Sequence, residues 1–203
     1  MITSRSEERW LRSELRKVPL RGLAGEERWE YCDRLLSEIG VKVDRDDPEL
    51  VKLMELLDGH PLAMRVILSE LEMRRAGELI AALQSNLAAL ELEESEESAR
   101  LYATLCFAEQ SLPESLRPLL VPLALHERFV QGKLLELMGR QIEPSPSTEQ
   151  IDAVLSALAS AGLLRDRGQS VFEMHPALTG FLRSTVLGRA MRCVMGGRGL
   201  SST

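Results

Sequence analysis

The sequence predicts a mainly α chain in which a helical bundle is followed by a winged-helix domain with a small β-hairpin. Three observations predict it. Apolar residues recur at helical spacing through most of the 203 residues. Pro48, Pro61 and Pro176 fall where helices start, and Gly40 where one stops. Near Leu163 the apolar period switches from that of a helix to that of a strand.

In chain order, Met1-Ile2-Thr3-Ser4-Arg5 reads as the last residues of a strand that runs into a helix capped by Ser6, with Glu7 and Glu8 in its first turn. Val18-Pro19-Leu20 and Leu23 read as a second extended segment. Gly25-Glu26-Glu27 opens a helix on which Trp29, Cys32, Leu36 and Ile39 recur, and Gly40 ends it. The next helix spans Pro48 to Leu57, because Leu50, Leu53, Met54 and Leu57 share a face and Pro48 has no N–H to waste in a first turn. Asp58-Gly59-His60 breaks it. Pro61 starts a helix with a stripe of Leu62, Ala63, Val66, Ile67 and Leu71, and Leu79, Ile80, Leu83, Leu87 and Leu90 repeat the pattern.

The acidic run Glu91 to Glu97 reads as a solvated linker and the first turn of the following helix. Helices are expected near Ser98–Gln110, Pro113–Leu125, Val130–Arg140 and Thr148–Ala161, with Pro144-Ser145-Pro146-Ser147 as a loop. Leu163 to Asp166, a turn at Arg167-Gly168, and Ser170 to His175 read as a two-stranded hairpin. A final helix from Pro176 to about Gly188 carries Leu178, Phe181, Leu182 and Leu187, and the Gly-rich end reads as a frayed tail. The expected domains are 1–24 as the remnant of another domain, 25–93 as the bundle, 94–188 as the winged helix and 189–203 as the tail.

Composition limits the function. A hydrophobic share of 44% beside 28% charged residues is that of an ordinary soluble globular chain, expected in the cytoplasm, and no apolar run is long enough for a membrane helix. A net charge of −6 works against nucleic acid, whose phosphates draw affinity from basic surfaces. The helix a winged helix would place in a DNA groove, Thr148–Ala161, has no Lys or Arg and carries Glu149 and Asp152. Cys32, Cys106 and Cys193 are odd in number and far apart, which suggests neither disulfides nor a metal site. No G-x-S-x-G, H-E-x-x-H, C-x-x-C or P-loop occurs, so the chain alone is not expected to be an enzyme.

Three short motifs carry the functional reading. They are Thr3-Ser4-Arg5, Gly59-His60-Pro61-Leu62-Ala63 and Met174-His175-Pro176. An arginine at a strand end offers a planar fork of donors to a phosphate. Glycine permits an unusual turn before a proline that fixes the start of a helix. Period-two alternation sets Met174 towards a core and His175 to the opposite face. In this order the motifs resemble the C-terminal part of an NB-ARC-type module of the STAND signalling ATPases, of the bacterial kind, over roughly Ile2 to Leu187.

The resemblance implies a regulatory lid that responds to ADP or ATP. Arg5, on the strand called sensor 1, would contact the γ-phosphate. Pro61 would pack near adenine, with Gly59 counted in the nucleotide site through the turn before it, and His175 would donate to the β-phosphate of ADP. The sequence departs from the family where Pro176 replaces the usual aspartate of the M-H-D segment, so the helix-capping role of that carboxylate is expected to be missing. The chain is then the continuation of a truncated or split protein, parted from its nucleotide-binding half. It would bind nucleotide tightly, and oligomerise, only in the intact switch. A helical or winged-helix adaptor for a partner protein is the alternative, using faces such as Leu119, Leu120 and Leu123 or Leu134, Leu135 and Met138, and a winged-helix DNA-binding regulator is a further one.

Overall fold

The helix starts follow from local chemistry. In the computed structural model, which describes residues 22–90, 96–142 and 145–187, helix α1 spans Gly25–Glu38 and buries Cys32, Leu35 and Leu36 on one face. It closes where Val41 N–H reaches back to the Leu36 carbonyl at 3.0 Å and Gly40 N–H to Ser37 at 3.2 Å, a pair of bonds that needs the left-handed φ of 71° at Gly40. Helix α2, Pro48–Leu57, begins where the Asp47 carboxylate accepts the N–H groups of Glu49 and Leu50 at 2.8 and 3.2 Å. Its buried residues are the expected Leu50, Leu53, Met54 and Leu57. Fully burying each such side chain contributes roughly 1.5 to 3 kcal/mol.

Helix α3, Pro61–Leu68, tightens at Ser69 into a short 3-10 segment that ends at Glu72. Helix α4, Ala76–Ala88, has no cap of its own, and its Gly77 N–H is met by the Glu49 carboxylate of α2 at 3.2 Å. Helix α5, Glu96–Ser111, packs on α3 and α4. The buried Asn86 of α4 fixes that contact by donating to the Ala103 carbonyl and accepting from the Gln110 amide, at 3.2 and 3.1 Å.

Two expectations are corrected in the next stretch. Pro113–Leu125 is not one helix: a 3-10 turn at Arg117–Leu119 leads into the single turn of α6, Leu120–Leu123. Pro118 and Pro122 lack the N–H a continuous helix needs, and Arg117 spends its guanidinium on the Gln110 and Leu112 carbonyls. The segment from Val130 does not start as a helix either. Phe129–Gln131 forms strand β1, with only Val130 buried, and α7 begins at Gly132 and runs to Gly139.

Helix α8, Thr148–Ser160, is held by a reciprocal cap in which the Ser147 hydroxyl accepts Gln150 N–H and the Gln150 side chain accepts Ser147 N–H. Strands β2, Leu164–Asp166, and β3, Val171–Met174, follow. The expected two-stranded hairpin is therefore part of a three-stranded antiparallel sheet of order β1-β3-β2, in which Phe172 lies opposite both Val130 and Asp166. Glu173, on the central strand, is bridged by Arg167 and Arg128 from either side. Helix α9, Pro176–Phe181, widens into a π-helical segment through Leu187, and Phe181 meets Tyr102 of α5 edge-on with ring centres 5.7 Å apart.

One hydrophobic cluster runs from Cys32 through α2–α5 to Leu182 and Val186, so α5 joins the helices before it to the sheet region after it. The chain is mainly helical with one small antiparallel sheet. Among the described residues no helix is long and apolar enough to cross a membrane. The expected strand and helix at Met1–Glu8, the segment Val18–Leu20, the part of the acidic run from Glu91 to Ser95, Pro144 and the tail from Gly188 lie outside the described residues.

Candidate functional site

Helix α2 ends in two consecutive left-handed residues, Asp58 at φ 49° and Gly59 at φ 65°. Glycine is required at the second for more than its torsion. The Leu23 backbone crosses the turn and donates to the Gly59 carbonyl at 2.8 Å. A Cβ on Gly59 would overlap the Leu23 carbonyl oxygen and stand 2.8 Å from its carbon. The turn delivers His60 in extended conformation ahead of Pro61, and His60 is the N-cap of α3, its Nδ1 accepting Ala63 N–H at 3.3 Å.

The same device recurs at the end of β3. His175 is extended, precedes Pro176 and caps α9 by accepting Ala177 N–H on Nδ1 at 3.2 Å. The capping role of the family's carboxylate is absent with Pro176, yet the helix start is capped. The imidazole takes over the capping, and Pro176 fits because the first turn has no use for its missing N–H. In both rings Nδ1 acts as acceptor, so the neutral imidazole carries its proton on Nε2.

Beside the first of these turns lies a cleft of about 440 Å³, bounded by Gly22–Gly25 and Arg28 of α1, Leu56 to Asp58, His60 and Ala63, and by α4 and α5. Its described polar lining holds two arginines of different status. Arg100 on α5 is paired with Asp58 at 2.7 Å. Arg28 has no ion pair among the described residues; its Nε is buried without a hydrogen-bond partner, and its guanidinium carbon stands 5.9 Å from the Trp29 ring centre. The Thr104 hydroxyl on the same wall is turned back to the Arg100 carbonyl at 2.9 Å.

Of the nucleotide-contacting residues expected from sequence, Arg5 lies outside the described residues. Gly59 is buried in the turn, Pro61 is exposed at the start of α3, and His175 is half-buried at the end of β3. Neither Pro61 nor His175 lines the cleft. They are connected along another path. Arg65, one turn on from Pro61 and on the same face of α3, packs against Gly162, where a Cβ would stand 3.0 Å from the Arg65 Nε. The next residue, Leu163, accepts the His175 backbone N–H at 2.9 Å. Arg65, Gly162, Leu163 and His175 thus link the helix that Pro61 opens to the start of β2 and the end of β3.

Sequence reasoning missed Arg28, Asp58 and Arg100 as a group, since no spacing rule links the start of α1, the end of α2 and the middle of α5. Among the described residues no group of three or more His, Cys, Asp or Glu side chains is placed to hold a metal ion. The chain matches no protein-family model and no curated protein.

Proposed function

We propose that the chain is the regulatory lid of a nucleotide-switched signalling ATPase of the STAND class, a helical bundle joined to a winged helix, with ADP or ATP held between it and a P-loop half. The winged-helix part of this reading is supported by the order β1, α7, α8, β2, β3 and by β1 pairing with the last strand rather than with its neighbour in sequence. The observation that carries the lid reading is the path from Arg65 of α3 through Gly162 and Leu163 to His175, which joins the helix that Pro61 opens to the end of the sheet. The caps suit the role. With Nδ1 accepting at the helix start, His175 would meet a phosphate through its other ring nitrogen, and Pro61 offers a rigid apolar ring on an exposed helix start. Such a lid switches only if its nucleotide contacts differ between the ADP and ATP states.

The test is a calorimetric titration of ADP into this chain joined to a P-loop nucleotide-binding partner. His175→Asn keeps an acceptor for Ala177 N–H but removes the ring donor, so it is expected to weaken ADP about tenfold with the fold intact, and Pro61→Ala is expected to weaken it as well. Unchanged ADP affinity in both variants would falsify the site. Exposed Leu134 and Leu137, at 47% and 60% on α7, favour a second reading as a docking module for a partner protein.

A further inference from the structure

We propose that the cleft between α1, the α2–α3 turn, α4 and α5 is a binding site for an aliphatic monocarboxylate, with the carboxylate on Arg28 and the alkyl body along the leucine walls. A volume of about 440 Å³ falls within the range of small-molecule sites. The chemistry of the walls selects the ligand. Leu56, Leu83, Leu87 and Leu101 present branched aliphatic surface, and no Phe, Tyr or Trp is among the described lining residues, which suits a flexible alkyl chain rather than a stacked ring.

Charge narrows the choice further. Arg100 and Asp58 offset each other at 2.7 Å, which leaves Arg28 as the uncompensated charge of the described lining. Its buried Nε lacks an acceptor, and a planar guanidinium fork matches the two oxygens of a carboxylate. His60, with Nδ1 bound to Ala63 N–H, adds an Nε2–H donor on the same lining. One net positive charge is balanced by a monoanion, whereas a nucleoside diphosphate would bring more negative charge than these walls offset. Occupation of the cleft requires no nucleotide-binding half, so success or failure here is separate from that of the lid reading.

The experiment is calorimetric titration of octanoate into the whole chain, with octanol, octylammonium and acetate as parallel probes. Octanoate is expected to saturate a single site, octanol and octylammonium to bind at least about tenfold more weakly, and acetate to give no heat. Arg28→Gln should weaken octanoate about tenfold and leave octanol unchanged. Leu87→Trp, which fills the space, should abolish both. In the unaltered chain, amide resonances of Leu23, Ala63 and Thr104 should move with octanoate while that of Glu173 stays still, a reading that does not depend on either variant folding. Uptake that never saturates, equal binding of octylammonium, an unaffected Arg28→Gln protein, or resonance changes confined to other regions would each overturn the assignment.

Discussion

Gly59→Ala is expected to be among the most damaging single-methyl additions in the chain, and the structure divides its cost. Alanine at φ 65° incurs the left-handed penalty, about 1 to 2 kcal/mol. The new Cβ would also overlap the Leu23 carbonyl, so the crossing segment must retreat and release the 2.8 Å bond from Leu23 N–H, a loss of about 1 kcal/mol. Together these come to about 2 to 3 kcal/mol before any wider rearrangement. Gly40→Ala is the matched control: its φ is 71°, and a Cβ there meets nothing within 4 Å, so only the torsional cost of about 1 to 2 kcal/mol applies. Urea denaturation followed by far-ultraviolet circular dichroism, with m-values compared, reads both differences. For a chain of this size each kcal/mol corresponds to about 2 to 4 °C of melting temperature. If Gly59→Ala loses no more stability than Gly40→Ala, the close passage of Leu23 over the turn is wrong, and with it the wall it forms on the cleft.

Further outcomes are expected elsewhere. Asn86→Ala removes the partner of the Gln110 amide between α4 and α5 and should cost about 1 to 3 kcal/mol by the same assay; a smaller loss than in a surface Ser85→Ala control would contradict the network. His60→Ala should cost about 1 kcal/mol through the lost cap of α3, and His60→Asn should restore most of it. Burial, ahead of the nearby Asp33, pushes the Cys32 thiol up to about 11, so at pH 8 it should resist iodoacetamide in the folded chain and react once urea is added, as read by peptide mass. The hydrogen bond from Arg167, ahead of the weaker Arg128 contact, holds the Glu173 carboxyl below its ordinary range. Because the folded value lies below the unfolded one, its contribution is complete above the ordinary carboxylate range and is lost as pH falls through the depressed value. The stability difference between the unaltered chain and Glu173→Gln should therefore shrink on acidification, and a difference that grows would refute the bridge.

The helices α1 to α5 and α8 were legible because apolar residues recur along them at helical spacing, and α2, α3 and α8 are also signed at their starts. Pro48 with Asp47 before it, and Ser147 with Gln150, are local signals that tertiary packing did not need to override. Strand β1 was not legible. Phe129-Val130-Gln131 is too short to show a period, and it becomes a strand only because Phe172 and Glu173, distant in sequence, supply its partners. Pro118 and Pro122 were visible, yet the apolar spacing of Leu116, Leu119, Leu120 and Leu123 suggested a longer helix than their missing donors allow. At the site, Gly59, Pro61 and His175 could be singled out from short motifs, but the capping by both imidazoles and the approach of Arg65 to Gly162 depend on backbone geometry that no motif states. Arg28 did not stand out in the sequence because its distinction is a missing partner.

The sheet order β1-β3-β2 imposes a timetable on the newly made chain. The hairpin β2–β3 closes over a short turn, an event of about 1 to 10 μs. Strand β1 has to wait through the synthesis of α7, α8 and β2 before its partner exists. At ribosomal rates of about 5 to 20 residues per second that interval is on the order of seconds, during which Phe129 and Val130 have no strand to pair with. Between the emergence of Gln131 and that of Met174, a neighbouring chain can therefore meet this segment before its own sheet does.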